Sequence, residues 1–487
     1  MWFPLPAVRR DAGEGPNQRP HLCAPGNLVM GAFTSLPCVL KCVRHQSKST
    51  VRILSLQLFL RPSSCLRHWP LWASVAAFLA VSGCATTPQS PPAPAGPAAS
   101  VRASPTPDLR KFASFLARFR VKALAAGISP AVFDSSLGTV TPNAQIYALE
   151  NQQPEFVRPI WSYIDTAVSP MRVADGRREL FGNAAMLDAL EARFGVPKQI
   201  LVAIWGMETD YGADLGHYDM FQALATLAFE GSRARFGERE LLAALRMEQD
   251  EGYAPSMMVS SWAGAFGQTQ FMPTTFLAHA VAAEPGGHID LWHSPADALA
   301  STANLLVAYG WTKDTPVLRE VQLPQGFPYG EAELSNLEPT AYWQGLGVKT
   351  ATGQDLPAGP SAAIFLPAGA QGPAFLTYAN FQVLLAYNHA TAYALGVSLL
   401  AQQIMGGPAV LHSWPRAEAP LDHADAETLQ RDLKILGYHP GPVDGLIGPH
   451  VREALRAYQR HQGLVPDGFA THQLLLRIEA NARAQAG

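Results

Sequence analysis

The sequence predicts a mainly α-helical chain with one small β-containing insertion and a separate three-helix unit at its carboxyl end. Three observations carry this. From Leu109 onward apolar residues fall at helical spacing, beginning with Phe112, Phe115, Leu116 and Phe119, and periodic segments recur at 181–194, 219–229, 238–248, 295–309 and 379–402. Between Trp311 and Tyr378 the composition shifts to Gly, Pro and short β-prone runs such as Ala363-Ile364-Phe365-Leu366. After a loop over 413–422 that holds Pro415 and Pro420, short helical stripes alternate with Gly-rich turns.

The 487 residues leave room for two or three domains at roughly 150 residues each. With 48% hydrophobic and 15% charged residues a packed core is within reach, and 40 Gly and 40 Pro mark many loops. Nine of the 36 Lys and Arg precede Cys84, as do two of the 39 acidic residues; the remainder carries 27 against 37, a net charge of −10. An acidic body argues against nucleic acid as a partner, because that binding needs a basic footprint. All five cysteines (Cys23, Cys38, Cys42, Cys65, Cys84) lie in the first 84 residues. The rest of the chain therefore has no disulfide, thiolate metal site or cysteine nucleophile.

Leu71 to Ser82 is an apolar run of twelve residues behind Arg61 and Arg67. It is too short to span a hydrocarbon core of ~30 Å and is laid out like a secretory signal. It ends in Val81-Ser82-Gly83-Cys84, which resembles a bacterial lipobox. Cleavage before Cys84 and acylation of its sulfur would tether the mature chain by lipid. In the lipoprotein pattern, a residue other than Asp after the cysteine, here Ala85, implies the outer membrane, so the expected location is its periplasmic face. Residues 1–83 are read as the signal region and 84–108 as a lipid-anchored Pro/Ala-rich linker. That linker cannot bury apolar surface and should behave as an extended tether. Signals rarely carry seventy residues ahead of their apolar core, so translation is expected to start near Val51, with residues 1–50 a gene-model artefact.

The first chemical candidate lies in Pro197–Gly212 (PKQILVAIWGMETDYG). Pro197 suits a first helical turn and Gly212 a stop just past the end, which puts Glu208 in the last turns of a nearly all-apolar helix. Desolvation and the negative end of the helix dipole would both oppose its ionisation. A raised pKa is what a general acid needs at neutral pH. Asp210, two residues on, points to a different face. Taken alone, a partly exposed structural Glu near a helix end fits this context better.

Two further segments bear on that choice. Ser261–Thr275 (SWAGAFGQTQFMPTT) packs small residues, Gln268, Gln270 and aromatics together. Its glycines allow close backbone approach, and the amides suit sugar hydroxyls or acetamido groups. Leu384–Ala394 (LLAYNHATAYA) places Tyr387, Asn388 and Tyr393 on a helix.

In this order the segments resemble the lytic murein transglycosylase B family over about 109–412. Gln153-Pro154-Glu155-Phe156, Asp297–Asn304 and Gly310-Trp311 are part of the resemblance. It implies a lysozyme-like α-helical catalytic domain with a small β-containing insertion. It further implies peptidoglycan glycan strands as substrate, Glu208 as the catalytic acid, and no cofactor. Ser261, Gln270, Tyr387, Asn388 and Tyr393 match the family's substrate-groove positions. The family usually has an Arg-Arg pair; here the chain reads Arg233-Ala234-Arg235, leaving Arg233 as the arginine in register. Leu305 follows Asn304 where an aromatic is common. Some members carry an EF-hand-like loop, but 282–290 (AAEPGGHID) lacks the alternating Asp/Asn ligands of calcium, and no tight calcium site is expected. His279, His288 and His293 have no zinc-motif partners, so no metal site is assigned.

Ordinary glycosidases use two carboxylates, ~5–5.5 Å apart for retention. The resembled enzymes manage with one. Glu208 would protonate the oxygen between N-acetylmuramic acid and N-acetylglucosamine, and the 2-acetamido group of the substrate would stabilise the cation. Glu208 would then accept the proton of the C6 hydroxyl as it attacks C1, leaving a 1,6-anhydromuramic end. A hydrolytic muramidase and a catalytically silent wall-binding scaffold are the competing readings.

At the carboxyl end Leu429, Leu433 and Leu436 form one stripe and Val451, Ala454, Leu455 and Tyr458 a second. Val443-Asp444-Gly445 and Val465-Pro466-Asp467-Gly468 repeat a turn. This unit, 424–480, resembles the small three-helix peptidoglycan-binding domain of wall enzymes. A monomer is expected, compatible with a place in a cell-wall synthesis complex.

Overall fold

The computed structural model describes residues 107–151, 158–418 and 421–486. The signal region, Cys84, nearly all of the linker and Gln153-Pro154-Glu155-Phe156 lie outside the described residues.

Helices begin where a side chain can take up free amides. Asp108 accepts the Arg110 and Lys111 N–H groups (2.9 and 3.2 Å) to open α1 (Leu109–Ala125). Ser-Pro pairs open α2 (Pro130–Leu137) and, after α3 (Ala144–Asn151) and α4 (Ile160–Ala167), α5 (Pro170–Gly182). Then come α6 (Ala184–Phe194), α7 (Lys198–Thr209), β1 (Tyr218–Asp219), α8 (Met220–Phe229), α9 (Ala234–Glu251), β2 (Val259–Ser260), α10 (Pro273–His279) and α11 (Pro295–Ala308). The insertion holds β3 (Leu318–Gln322), α12 (Thr340–Gly345), β4 (Lys349–Thr350), β5 (Ala362–Phe365) and β6 (Ala374–Tyr378). Helices α13 (Ala379–Tyr387) and α14 (Thr391–Ile404) return to the helical body, and α15 (His423–Ile435), α16 (Pro449–His461) and α17 (His472–Ala486) form the last unit.

Two large cores dominate the helical body. One gathers the Phe stripe of α1 with Phe133, Phe221, Leu241 and Phe266; the other surrounds α7, whose residues Ile200 to Gly206 are all buried. Helix α7 packs against α5, α6, α11 and α14, so its terminus is held from several sides. The insertion is a four-stranded antiparallel sheet in the order β4-β3-β6-β5, and every residue of β6 is buried. A two-stranded pairing of β1 with β2, which no periodicity in 218–260 foretells, ties 218–219 to 259–260.

The segment 379–402 is not the single periodic helix expected. It breaks at Asn388–Ala390, and α13 and α14 are bent by 118°. Asn388 turns extended (φ −144°) and its Oδ1 accepts the Ala390 N–H at 3.1 Å, so the side chain takes an amide that a continuous helix would use itself. Helix α7 likewise stops earlier than Gly212 suggests. Asp210, Tyr211 and Gly212 are successively left-handed (φ 47°, 62° and 86°), a strained arrangement for the first two. The Tyr211 ring lies over Gly206, where a Cβ would sit 2.4 Å from it, and its hydroxyl donates to the Arg172 carbonyl (2.7 Å).

The three last helices close on Leu429, Leu433, Leu455, Tyr458, Leu475 and Ile478. Both Asp-Gly turns are held in one way. Gln430 accepts the Asp444 and Gly445 N–H groups and donates to Asp444 Oδ1; Gln459 accepts the Gly468 N–H and donates to Asp467 Oδ1. The unit is seated on the insertion. Arg452 (2.8 Å) and Arg456 both pair with Glu333, and Asp467 Oδ2 accepts the Ala370 N–H at 2.9 Å. Burial opposes ionisation of Glu333, but the two guanidiniums outweigh it and hold the carboxyl below its ordinary range.

Candidate active site

Glu208 stands one residue before the end of α7 and is half-buried. Burial pushes its pKa up from 4.5 to about 7, against a hydrogen bond from Tyr393 that favours the charged form. The Tyr393 hydroxyl donates to Glu208 Oε1 at 2.7 Å. That leaves Oε2 as the oxygen able to carry and deliver a proton. No Asp or Glu of the described residues is among the influences on this carboxyl. Asp210 is turned away into an ion pair with Arg172 (2.6 Å) and is largely exposed.

Around Glu208 stand three phenols. Tyr387 stacks on Tyr393 with ring centroids 6.1 Å apart and planes 15° from parallel, and its hydroxyl donates to the Thr269 carbonyl (2.7 Å). The 118° bend brings these two rings together: Tyr387 ends α13 and Tyr393 lies in the first turn of α14. Tyr163 of α4 is the third. Burial raises its pKa and the Glu208 charge adds to the rise, as for Tyr387 and Tyr393. All three remain neutral donors at working pH. Tyr163 escaped the sequence reading because nothing in the spacing of α4 relates it to α7.

The loop 261–272 is fastened to the end of α7 by Thr209, whose hydroxyl donates to the Gln268 carbonyl (2.7 Å) and accepts the Gly212 N–H (3.0 Å). Gly264 and Gly267 adopt left-handed φ of 84° and 70°, and a Cβ at either would strike Leu224 or Leu291. Gln270 also has a left-handed backbone (φ 52°); its Nε2 donates to the Gly267 carbonyl (3.1 Å), while its buried Oε1 meets no partner among the described residues. Asn388 is buried, with Oδ1 spent on Ala390 and its amide nitrogen uncommitted among the described residues.

Not every expected groove residue faces the cleft. Ser261 is 1% exposed, and its Oγ accepts the Ala265 N–H at 3.1 Å, so it pins the loop instead of presenting a hydroxyl. Gln268 is buried and donates to the Trp292 carbonyl (3.3 Å), which removes it as a sugar contact. The Arg233 guanidinium lies 5.3 Å from the Phe236 ring and 5.8 Å from the Trp262 ring, and the Arg233 backbone N–H donates to Glu150 (3.3 Å).

Tyr393→Phe removes the one hydrogen bond that favours ionised Glu208. We expect the catalytic rate to fall roughly 10- to 100-fold, the worth of a hydrogen bond to a charged group. The alkaline limb of its pH–rate profile should move upward. A loss of rate with an unmoved profile would mean that Tyr393 only shapes the cleft.

The loop ahead of α11 is organised by a carboxylate. Buried Asp297 accepts the Ala283 N–H (2.7 Å) on one oxygen and the Asp290 N–H (3.1 Å) on the other. Asp290 in turn accepts the N–H groups of Trp292 and His293, both at 2.9 Å. Among the described residues no group of three or more His, Cys, Asp or Glu is placed to hold a metal. Calcium should leave the melting temperature unchanged, whereas Asp297→Ala should cost about 2 kcal/mol. A calcium-dependent rise in melting temperature would contradict this.

A helical body that presents one half-hidden carboxylic acid beneath a tyrosine cage, with a sheet inserted beside it, defines the lysozyme-like class of glycan-cleaving folds. The family model described as transglycosylase SLT domain matches residues 111–402, and the chain belongs to that family. A putative peptidoglycan binding domain matches 422–478. Membrane-bound lytic murein transglycosylase B of Escherichia coli is 36% identical over 214 residues, 43% of this chain. The chain spans 58% of the length of that relative. The crystal structure of SltB3 from Pseudomonas aeruginosa in complex with NAG-anhNAM-pentapeptide is 44% identical, with a TM-score of 0.74 over 76% of this chain and 99% of that one. Escherichia coli Slt35 in complex with calcium is 28% identical, with a TM-score of 0.51 over 61% and 92% of the two chains.

Proposed function

We propose that the chain is a lytic transglycosylase that cleaves the bond between N-acetylmuramic acid and N-acetylglucosamine in peptidoglycan and leaves a 1,6-anhydromuramic end. One observation carries this reading: Glu208 holds its proton to about pH 7, with a tyrosine hydroxyl donating to one of its oxygens and no second Asp or Glu of the described residues bearing on it. Protonated Oε2 delivers the proton to the glycosidic oxygen. The substrate's own acetamido carbonyl stabilises the cation, since no second carboxylate of the described residues bears on Glu208. Glu208, now charged and supported by Tyr393, accepts the C6 hydroxyl proton as that oxygen closes on C1. Gln270 and Asn388 orient the acetamido group, and the stacked Tyr387 and Tyr393 rings wall the cleft. SltB3, crystallised with an anhydro-muramic ligand, supports the same product class.

The location follows from the lipobox. Acylated Cys84 tethers the enzyme to the periplasmic face of the outer membrane, and the carboxyl-terminal module holds it on the wall, raising the local concentration of glycan. Digestion of purified sacculi followed by borohydride reduction tests the product. Anhydro ends resist reduction, whereas a muramidase leaves ends that are reduced.

A further inference from the structure

We propose that the outer face of α1 is a docking surface for the anionic headgroups of the membrane to which the chain is tethered. Helix α1 carries Arg110, Lys111, Arg118, Arg120 and Lys122 and no acidic residue, in a chain whose part beyond Cys84 has a net charge of −10. Arg120 is engaged by Asp134 (3.2 Å) and Lys122 by Glu238 (2.5 Å). Arg110, Lys111 and Arg118 are exposed and take part in no ion pair among the described residues. Their spacing places them with Ser114 along one side of the helix, and the four line a hollow with Phe229 and Glu230. The opposing charges are few. Asp108 is spent on the helix cap, and Glu230 accepts the Tyr147 hydroxyl (3.3 Å).

Position and charge together name the occupant. The 24 residues from Ala85 to Asp108 end directly at α1, so a lipid on Cys84 would keep this face within roughly 75 Å of the bilayer even for a fully extended Pro-rich chain of that length. Leu109, 63% exposed at the junction, adds an apolar contact at the headgroup boundary. Three free cations bind an anionic surface weakly alone, but the tether supplies the local concentration that makes weak docking sufficient. For that concentration the inference rests on the Cys84 anchor of the proposed function; the surface itself does not.

The test separates the two. The full mature chain with Cys84→Ser, which carries no lipid, is sedimented with vesicles of phosphatidylcholine with or without phosphatidylglycerol. Binding should require phosphatidylglycerol, fade with salt, and fall about a hundredfold in Arg110→Glu/Lys111→Glu/Arg118→Glu. The milder triple Gln variant, with an unchanged melting temperature, should show most of the loss. Equal vesicle binding by wild type and both variants overturns the proposal, as does a loss confined to sacculus binding. Fractionation of cells expressing Cys84→Ser reports on the anchor independently.

Discussion

Glu208→Gln is expected to lower muropeptide release on the order of 10³-fold or more, because the proposed mechanism routes both proton transfers through this residue and no second Asp or Glu of the described residues bears on its carboxyl. The substitution keeps the volume and leaves Tyr393 a carbonyl to donate to, so binding to sacculi should persist. Turbidity clearance of sacculi, measured beside a sedimentation assay for binding, separates the two effects. Clearance near the wild-type rate would place the acid elsewhere and remove the foundation of the proposed mechanism.

The second large effect concerns stability. An unfolded Glu ionises near 4.5, whereas folded Glu208 keeps its proton to about 7. Between those values the native state binds more protons than the unfolded state, so stability falls as pH rises through that window. Glu208→Gln is free of this cost. It should match the wild type at pH 4 and exceed it above pH 7 by about 1–3 kcal/mol, a figure that allows for the partly exposed side of the carboxyl. In a domain of this size that is about 2–4 °C in melting temperature per kcal/mol. Equal melting temperatures at pH 8 would mean that the site does not penalise the charge. The acid is thus kept at the expense of the fold, as expected for a functional group on an otherwise apolar helix.

Much of this was legible in the sequence because the signals were local. The Phe stripe of α1, the apolar run of α7 and the turn-rich insertion each follow from spacing or composition within a dozen residues. The raised pKa of Glu208 was readable to the extent that an apolar helix is one the fold buries, although the groups around the carboxyl come from α4, α13 and α14. What could not be read depends on which partner a side chain takes in the fold, near in sequence or far. The break at Asn388 comes from a side chain competing for the Ala390 amide, which an apolar periodicity conceals. Tyr163 reaches Glu208 only through the packing of α4 on α14. Ser261 and Gln268 carry polar groups suited to sugars, yet the loop uses both internally, bonding them to Ala265 and Trp292. A residue type shows what a side chain can bond, and the fold decides which partner it meets.

The central claim is that Glu208 works alone and that the substrate, not water, closes the reaction. Digestion of sacculi in heavy-oxygen water tests this most directly. If the C6 hydroxyl attacks C1, the released muropeptides carry no label and end in the anhydro ring. Label at C1 of the new muramic ends would show that water is the nucleophile, and the enzyme would then be a muramidase.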